Sequence, residues 1–173
     1  MVSTHEVSEI EAGVFYTILE PCSLAVLPHV LVPDPASVVW VVDHWPLAEV
    51  VWRELSVPLT ANSPCESLQV RGVRYDLQMP AREFLDRVVP RLPLSDGMMM
   101  LQLDRSVPDT LRYRDIAGRA NRHAILRQNG WRLTFQLPHG GEYAEVTAPD
   151  RAEIERILAA PLIAAGKAGG ELP

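Results

Sequence analysis

Two short stretches of the chain combine residues able to move protons or hold an anion. Asp43-His44 follows the apolar run Val38-Val39-Trp40-Val41-Val42, and Asp104-Arg105 follows the run Met98–Leu103. A carboxylate beside an imidazole is the smallest set that can shuttle a proton near neutral pH. An arginine fork beside an aspartate adds a means of orienting a carboxylate or phosphate. If the chain is an enzyme, Asp43, His44, Asp104 and Arg105 are therefore its expected catalytic residues. They would sit at the carboxyl ends of two central strands, where sheets with parallel neighbours form their ligand crevice. The same residues have a structural reading: strands end in polar residues, and Asp43-His44 before Trp45-Pro46 suits the start of a helix.

A second kind of chemistry is binding by charge. Residues 105–132 carry seven arginines against Asp109 and Asp115, a balance of +5, within a chain of net charge −6. Residues 1–66 carry nine acids against Arg53, a balance of −8. Asn129-Gly130 separates Arg122–Gln128 from Trp131–Leu137, which is the turn chemistry of a two-residue type I′ hairpin. In that register Arg127 falls opposite Arg132, with Glu145 diagonal to Arg132, and His123, Gln136 and Tyr143 complete one outer face. Like charges paired directly across strands destabilise a sheet. The expected binding residues are therefore His123, Arg127, Arg132, Gln136, Tyr143 and Glu145, facing a partner protein with an acidic contact surface. The alternative is an ordinary solvated face, with Glu145 and salt screening the arginines.

Other chemistries lack their residues. His5, His29, His44, His123 and His139 are scattered, with no HxxxH, CxxC or carboxylate-rich loop, so no metal site is expected. Gly166-Lys167 lacks the spacing of a phosphate-binding loop, and Lys167, the single lysine, lies in a glycine-bearing tail unsuited to Schiff-base chemistry. No cofactor is expected. Cys22 and Cys65 read as reduced thiols, because residues 1–11 hold no Lys or Arg and so do not resemble a secretory leader. No apolar run reaches the ~18 residues of a membrane span. A cytoplasmic, bacterial protein is the expectation, the latter from a basic complement that is almost all arginine. Nucleic-acid binding through the arginines of 105–132 ranks third, since affinity for phosphate backbones needs positive charge that the whole chain lacks.

The elements that must position these residues can be read from hydrophobic period and proline placement. Val14–Leu19, Ser23–Val32 and Ala36–Val42 are apolar segments bounded by prolines; Pro28 marks the second as an edge strand or splits it. Val38–Val42 and Met98–Leu101 are apolar on both faces, the pattern of central strands covered above and below. Leu68 and Val70 alternate in one phase and Val73, Tyr75 and Leu77 in the other, with a break at Arg71-Gly72. Helices are expected from Pro46, with Ala48, Val51, Trp52 and Leu55 inward, and from Pro80, with Ala81, Phe84, Leu85 and Val88 inward and Pro90 as the stop. A short helix is expected within 107–119. Asp150, with Glu153 three residues on, starts a last helix whose stripe is Ile154, Ile157 and Leu158.

Together these predict one α+β domain over residues 1–160 and a flexible tail over 161–173. The sheet is mixed or antiparallel, with helices packed on one side. A C-terminal three-stranded β-meander over 122–147 precedes the last helix. With no catalytic motif and strongly segregated charge, the favoured function is a small non-catalytic protein-binding domain of the immunity, chaperone or accessory-subunit type. A small enzyme using Asp43, His44, Asp104 and Arg105 is the alternative.

Overall fold

A computed structural model describes residues 6–20, 26–43, 75–91, 99–108, 110–138, 143–161 and 163. Its strands are β1 (Ser8–Glu11), β2 (Val14–Leu19), β3 (Val38–Asp43), β4 (Tyr75–Pro80), β5 (Met99–Leu103), β6 (Trp131–Gln136) and β7 (Ala144–Ala148). They form one sheet in the order β1-β2-β7-β6-β5-β3-β4, and every described pair is antiparallel. The architecture is α+β. The two runs that are apolar on both faces, β3 and β5, lie side by side with neighbours on both edges, as their composition demands. β4 is the last described strand on its side, and its terminal Pro80, which has no N–H to give a further neighbour, is tolerated there.

Side-chain alternation divides the core in two. On the first face Val39, Val41, Met79, Met100, Leu133, Phe135, Ala144, Val146 and Ala148 are buried in one cluster. Three helices cover them: α1 (Leu27–Val30), α2 and α5 (Arg151–Leu158). α2 begins as Ala81–Glu83 and continues as a π-helical stretch, Phe84–Val88, and a 3-10 turn, Val89–Arg91. The ring of Pro90 obstructs regular α-helix in the turn before it. α5 starts at Asp150, whose side chain accepts from the Ala152 N–H. On the second face Trp40, Val42, Leu101, Leu103 and Trp131 pack beneath two shorter helices, α3 (Tyr113–Ile116) and α4 (Arg122–Gln128).

Several sequence expectations are corrected. Residues 122–128 are not a strand: they form α4, which buries His123 and Leu126, three residues apart on one helical face. Gly130, at φ +78°, ends this helix, and its N–H bonds the Arg127 carbonyl at 3.0 Å. Asn-Gly thus serves as a helix stop, the other use of a residue that enters the left-handed region without steric cost. β6 and β7 do pair antiparallel, but the third neighbouring strand is β5 on one side and β2 on the other. Helices lie on both faces of the sheet rather than one. Within Ser23–Val32, Leu27–Val30 is helical rather than an edge strand. The β1–β2 hairpin, turning at Ala12-Gly13 with Gly13 at φ +67°, was not foreseen. The helix expected from Pro46, the break at Arg71-Gly72, His44 and both cysteines lie outside the described residues.

Two glutamines fasten loops to the sheet. Gln102, fully buried, accepts from the Val32 N–H at 3.0 Å and donates to the Val32 carbonyl at 2.7 Å and the Ser37 hydroxyl at 2.9 Å. On the other face Gln78 accepts from the Val107 N–H at 2.9 Å and donates to its carbonyl at 3.4 Å. Each amide satisfies the N–H and the carbonyl of one residue that would otherwise be stranded against the sheet.

Candidate functional site

The second face is only half covered. Among the described residues, α3 and α4 lie over β3, β5, the start of β6 and Val14 at the start of β2, and no described helix covers β7, the rest of β2 or the far end of β6. The floor there is polar. Register places Thr134 opposite Thr147 and Thr147 opposite Tyr16, while Gln136 lies opposite Glu145 in the next row. These side chains alternate with Phe135, Ala144, Val146 and Ala148, which point into the first-face core. The result is a solvent-open cleft of about 140 Å³, walled by Tyr113, Arg122, His123 and Leu126 from the helices and by Ile10 and Met99 at its sides.

Two β-bulges shape this cleft. In β1, Glu9 pairs with Phe15 but Glu11 with Val14, so Ile10 is an extra residue. The bulge delivers Ile10 and Glu11 to the same side, where Ile10 lines the cleft and a Glu11 oxygen meets Nδ1 of His123 at 2.8 Å. In β6, Gln102 pairs with Leu133 but Leu103 with Trp131, which makes Arg132 the extra residue. Trp131 is thereby turned from the face of Leu133 to that of Thr134. It stacks on His123 with centroids 5.2 Å apart and rings 14° from parallel, and its indole N–H donates to the Thr134 hydroxyl at 3.0 Å. Bulges concentrate where a strand must re-aim a side chain.

At the open end the Tyr16 hydroxyl donates to the Glu145 carboxylate. Its pKa is raised above the ordinary 10.0, first by burial, then by the charge of Glu145 and that hydrogen bond, with a smaller contribution from Tyr143. Tyr16 is therefore a neutral donor at physiological pH. A carboxylate has lone pairs beyond the one Tyr16 occupies, so Glu145 keeps acceptor capacity toward the cleft.

Of the residues expected to bind, His123, Gln136 and Glu145 line this cleft, and Tyr143 stands near Tyr16. Arg127 and Arg132 do not join them, and they do not pair across strands. The Arg127 guanidinium, at the exposed end of α4, donates to the Gly13 carbonyl and to Ala12 O at 3.2 Å. Arg132 lies 3.7 Å from Asp34 and 3.6 Å from Asp104. Glu145 sits opposite Gln136 and is not diagonal to Arg132. The like-charge pair that motivated an acidic partner is absent.

Asp43 does not share a site with Asp104 and Arg105 either. Because β3 and β5 are antiparallel, with Val38 opposite Leu103 and Val42 opposite Met99, Asp43 and Asp104 fall at opposite ends of these neighbouring strands. Six residues of strand put them about 20 Å apart. Asp104 gives its N–H to the Gly130 carbonyl at 2.8 Å, and Arg105 donates to the Gln128 carbonyl at 2.7 Å. Both hold the corner between α4 and β6.

Ile10, Glu11, Tyr16, Arg122, Thr134 and Thr147 were missed as site residues. Thr134 and Thr147 carried a signal, being polar members of strands whose alternate residues are apolar. Glu11 and Ile10 carried none, since a bulge decides their side. Among the described residues no three of His, Cys, Asp or Glu stand together as a metal site, and no helix is long and apolar enough to cross a membrane. Comparison of the chain with protein-family models, curated proteins and solved structures gives no match.

Proposed function

We propose that the chain is a non-catalytic protein-binding domain of the accessory kind, and that its contact face is the open half of the second sheet face. The observation behind this reading is the asymmetry of the sheet: one face is sealed by three helices, while the other keeps a polar, half-buried floor beside an exposed apolar residue. Ile10, 53% exposed at the cleft's side, is the one exposed large hydrophobic among the described residues. Scattered exposed apolar groups need no explanation, but one set beside convergent polar groups is the usual composition of a binding cleft. A photo-reactive amino acid at Thr147, compared with one at Glu155 on the exposed side of α5, tests the reading in the cells that make the protein. Cross-linking to one protein from Thr147 alone, with binding then rebuilt from purified components, supports it. Equal labelling from both positions sinks it.

A second reading, an enzyme, has one observation in its favour. His123 and Glu11 form a carboxylate–imidazole pair on the cleft wall, the arrangement that orients a general base. His123→Gln tests this second reading: loss of turnover with an unchanged amide spectrum supports an enzyme, and full retention of turnover sinks it.

A further inference from the structure

We infer that the cleft is a socket for one basic side chain of the partner, its aliphatic stem resting on Ile10, Met99 and Leu126 and its cation meeting the Glu145 carboxylate. This rests on the cleft being the partner-binding face. Size comes first. An engineered cavity of about 150 Å³ holds a benzene, so 140 Å³ suits one side chain and is too small for a nucleotide or an extended cofactor. Lysine and arginine carry an apolar stem and a charged tip, and this cleft has apolar sides and an ionisable floor. Around Glu145, Gln136 and Thr147 supply further acceptors for the three donors of an ammonium.

Charge across the molecule points the same way. Several arginines among the described residues are engaged within the chain: Arg87 with Glu83, Arg151 with Glu155, Arg156 with Glu153, and Arg132 with two aspartates. Arg105 and Arg127 are spent on carbonyl groups. The net charge of −6 favours encounter with a basic surface at long range, while the +5 stretch 105–132, which supplies the cleft's helical wall, works against it locally. Among the residues lining the cleft, Arg122, exposed at its mouth, opposes the cation. Its removal should therefore strengthen binding, which makes the inference sharp.

The test is an NMR titration of the whole chain with N-acetyl amides of lysine, arginine, norleucine and glutamate. The lysine or arginine compound should shift the amide signals of Tyr16, Thr134, Glu145 and Thr147 saturably. Glu145→Gln should weaken that binding about tenfold or more, the scale of losing a charge-assisted hydrogen bond. Glu145→Asp, which keeps the charge, should retain part of the affinity, and the amide spectrum of each variant reports whether it is folded. Arg122→Ala should tighten binding by about two- to fivefold. Norleucine binding as tightly as lysine, an unchanged Kd in Glu145→Gln, or a preference for glutamate would overturn the inference. If no compound shifts these signals while the Thr147 cross-link persists, the socket is refuted and the binding face stands. Loss of the cross-link as well refutes both.

Discussion

The two faces of this sheet are built from the same strands yet obey different rules. On the first, every inward residue of β6 and β7 is apolar and fully covered, from Leu133 and Phe135 to Ala144, Val146 and Ala148. On the second, the residues between them are Thr134, Gln136, Glu145 and Thr147, all half-buried, with only short helices nearby. The first face secures the fold, and that security lets the second expose polar groups in a concave setting. The side chains that secure the fold and those that line the cleft are therefore separated by parity along a strand.

The largest expected effect breaks the first face. Phe135→Ala, at a fully buried ring, should cost about 3–5 kcal/mol in denaturant unfolding. A smaller cost would mean that the first face is not the core. Gln102→Leu should cost about 2 kcal/mol or more, because the Val32 N–H and carbonyl lose their partner in a buried place. Hydrogen exchange at Val32 should accelerate in the same variant. Gly130→Ala comes next, at about 1–2 kcal/mol for the left-handed backbone. Its Cβ would also stand 3.1 Å from that of Asp104 and 3.3 Å from the Asp104 nitrogen, so the α4–β6 corner should loosen as well. Thr147→Val on the second face should change stability by no more than about 0.5 kcal/mol. If it costs as much as Phe135→Ala, the cleft is part of the core and the contrast between the faces fails.

The smallest expected effect is a pH dependence. Tyr16 has a folded pKa above its ordinary 10.0, so above that pH the unfolded chain releases this proton first. Folded stability from this group is complete below about pH 10 and declines as pH rises through the higher folded value. Glu145→Gln removes the charge while leaving the burial, and should lower the Tyr16 pKa only part of the way toward 10. A phenolate absorbance titration of both proteins measures this, and an unchanged pKa would contradict the Tyr16–Glu145 hydrogen bond.

Elements with a strong period or an unambiguous boundary were legible in the sequence. Val38–Val42 and Met98–Leu101 read as central strands because only a doubly covered strand is apolar at every position. Pro80 and Asp150 marked helix starts through missing donors and added acceptors. Residues 122–128 were misread because seven residues with His123 and Leu126 as their buried pair fit a helix, while Asn129-Gly130 beyond them also suits a hairpin. The period of so short a segment does not decide between them. The placement of Asp43 and Asp104 failed for another reason: side-chain pattern reports burial, not strand direction, and antiparallel pairing sends the two carboxyl ends apart. Most of the cleft was hidden because it is assembled by register. Ile10 and Glu11 sit at one bulge and Trp131 beside another, and the second leaves the alternation of Trp131, Leu133 and Phe135 unbroken because both faces of the sheet are buried there.

The bulge at Ile10 also limits how the molecule meets its own kind. β1 is the outermost described strand on its side, and an outer strand offers unpaired N–H and carbonyl groups to any chain able to add to it. This one is four residues long, bears Glu9 and Glu11, and is kinked in the middle by its extra residue. It makes a poor template for fibril growth or strand exchange, since a flat run of unpaired groups is what such growth needs. Concentrated solutions should stay free of β-aggregates seeded here, and a visitor to this side of the protein has to be received on the sheet's surface, because its border is closed to it.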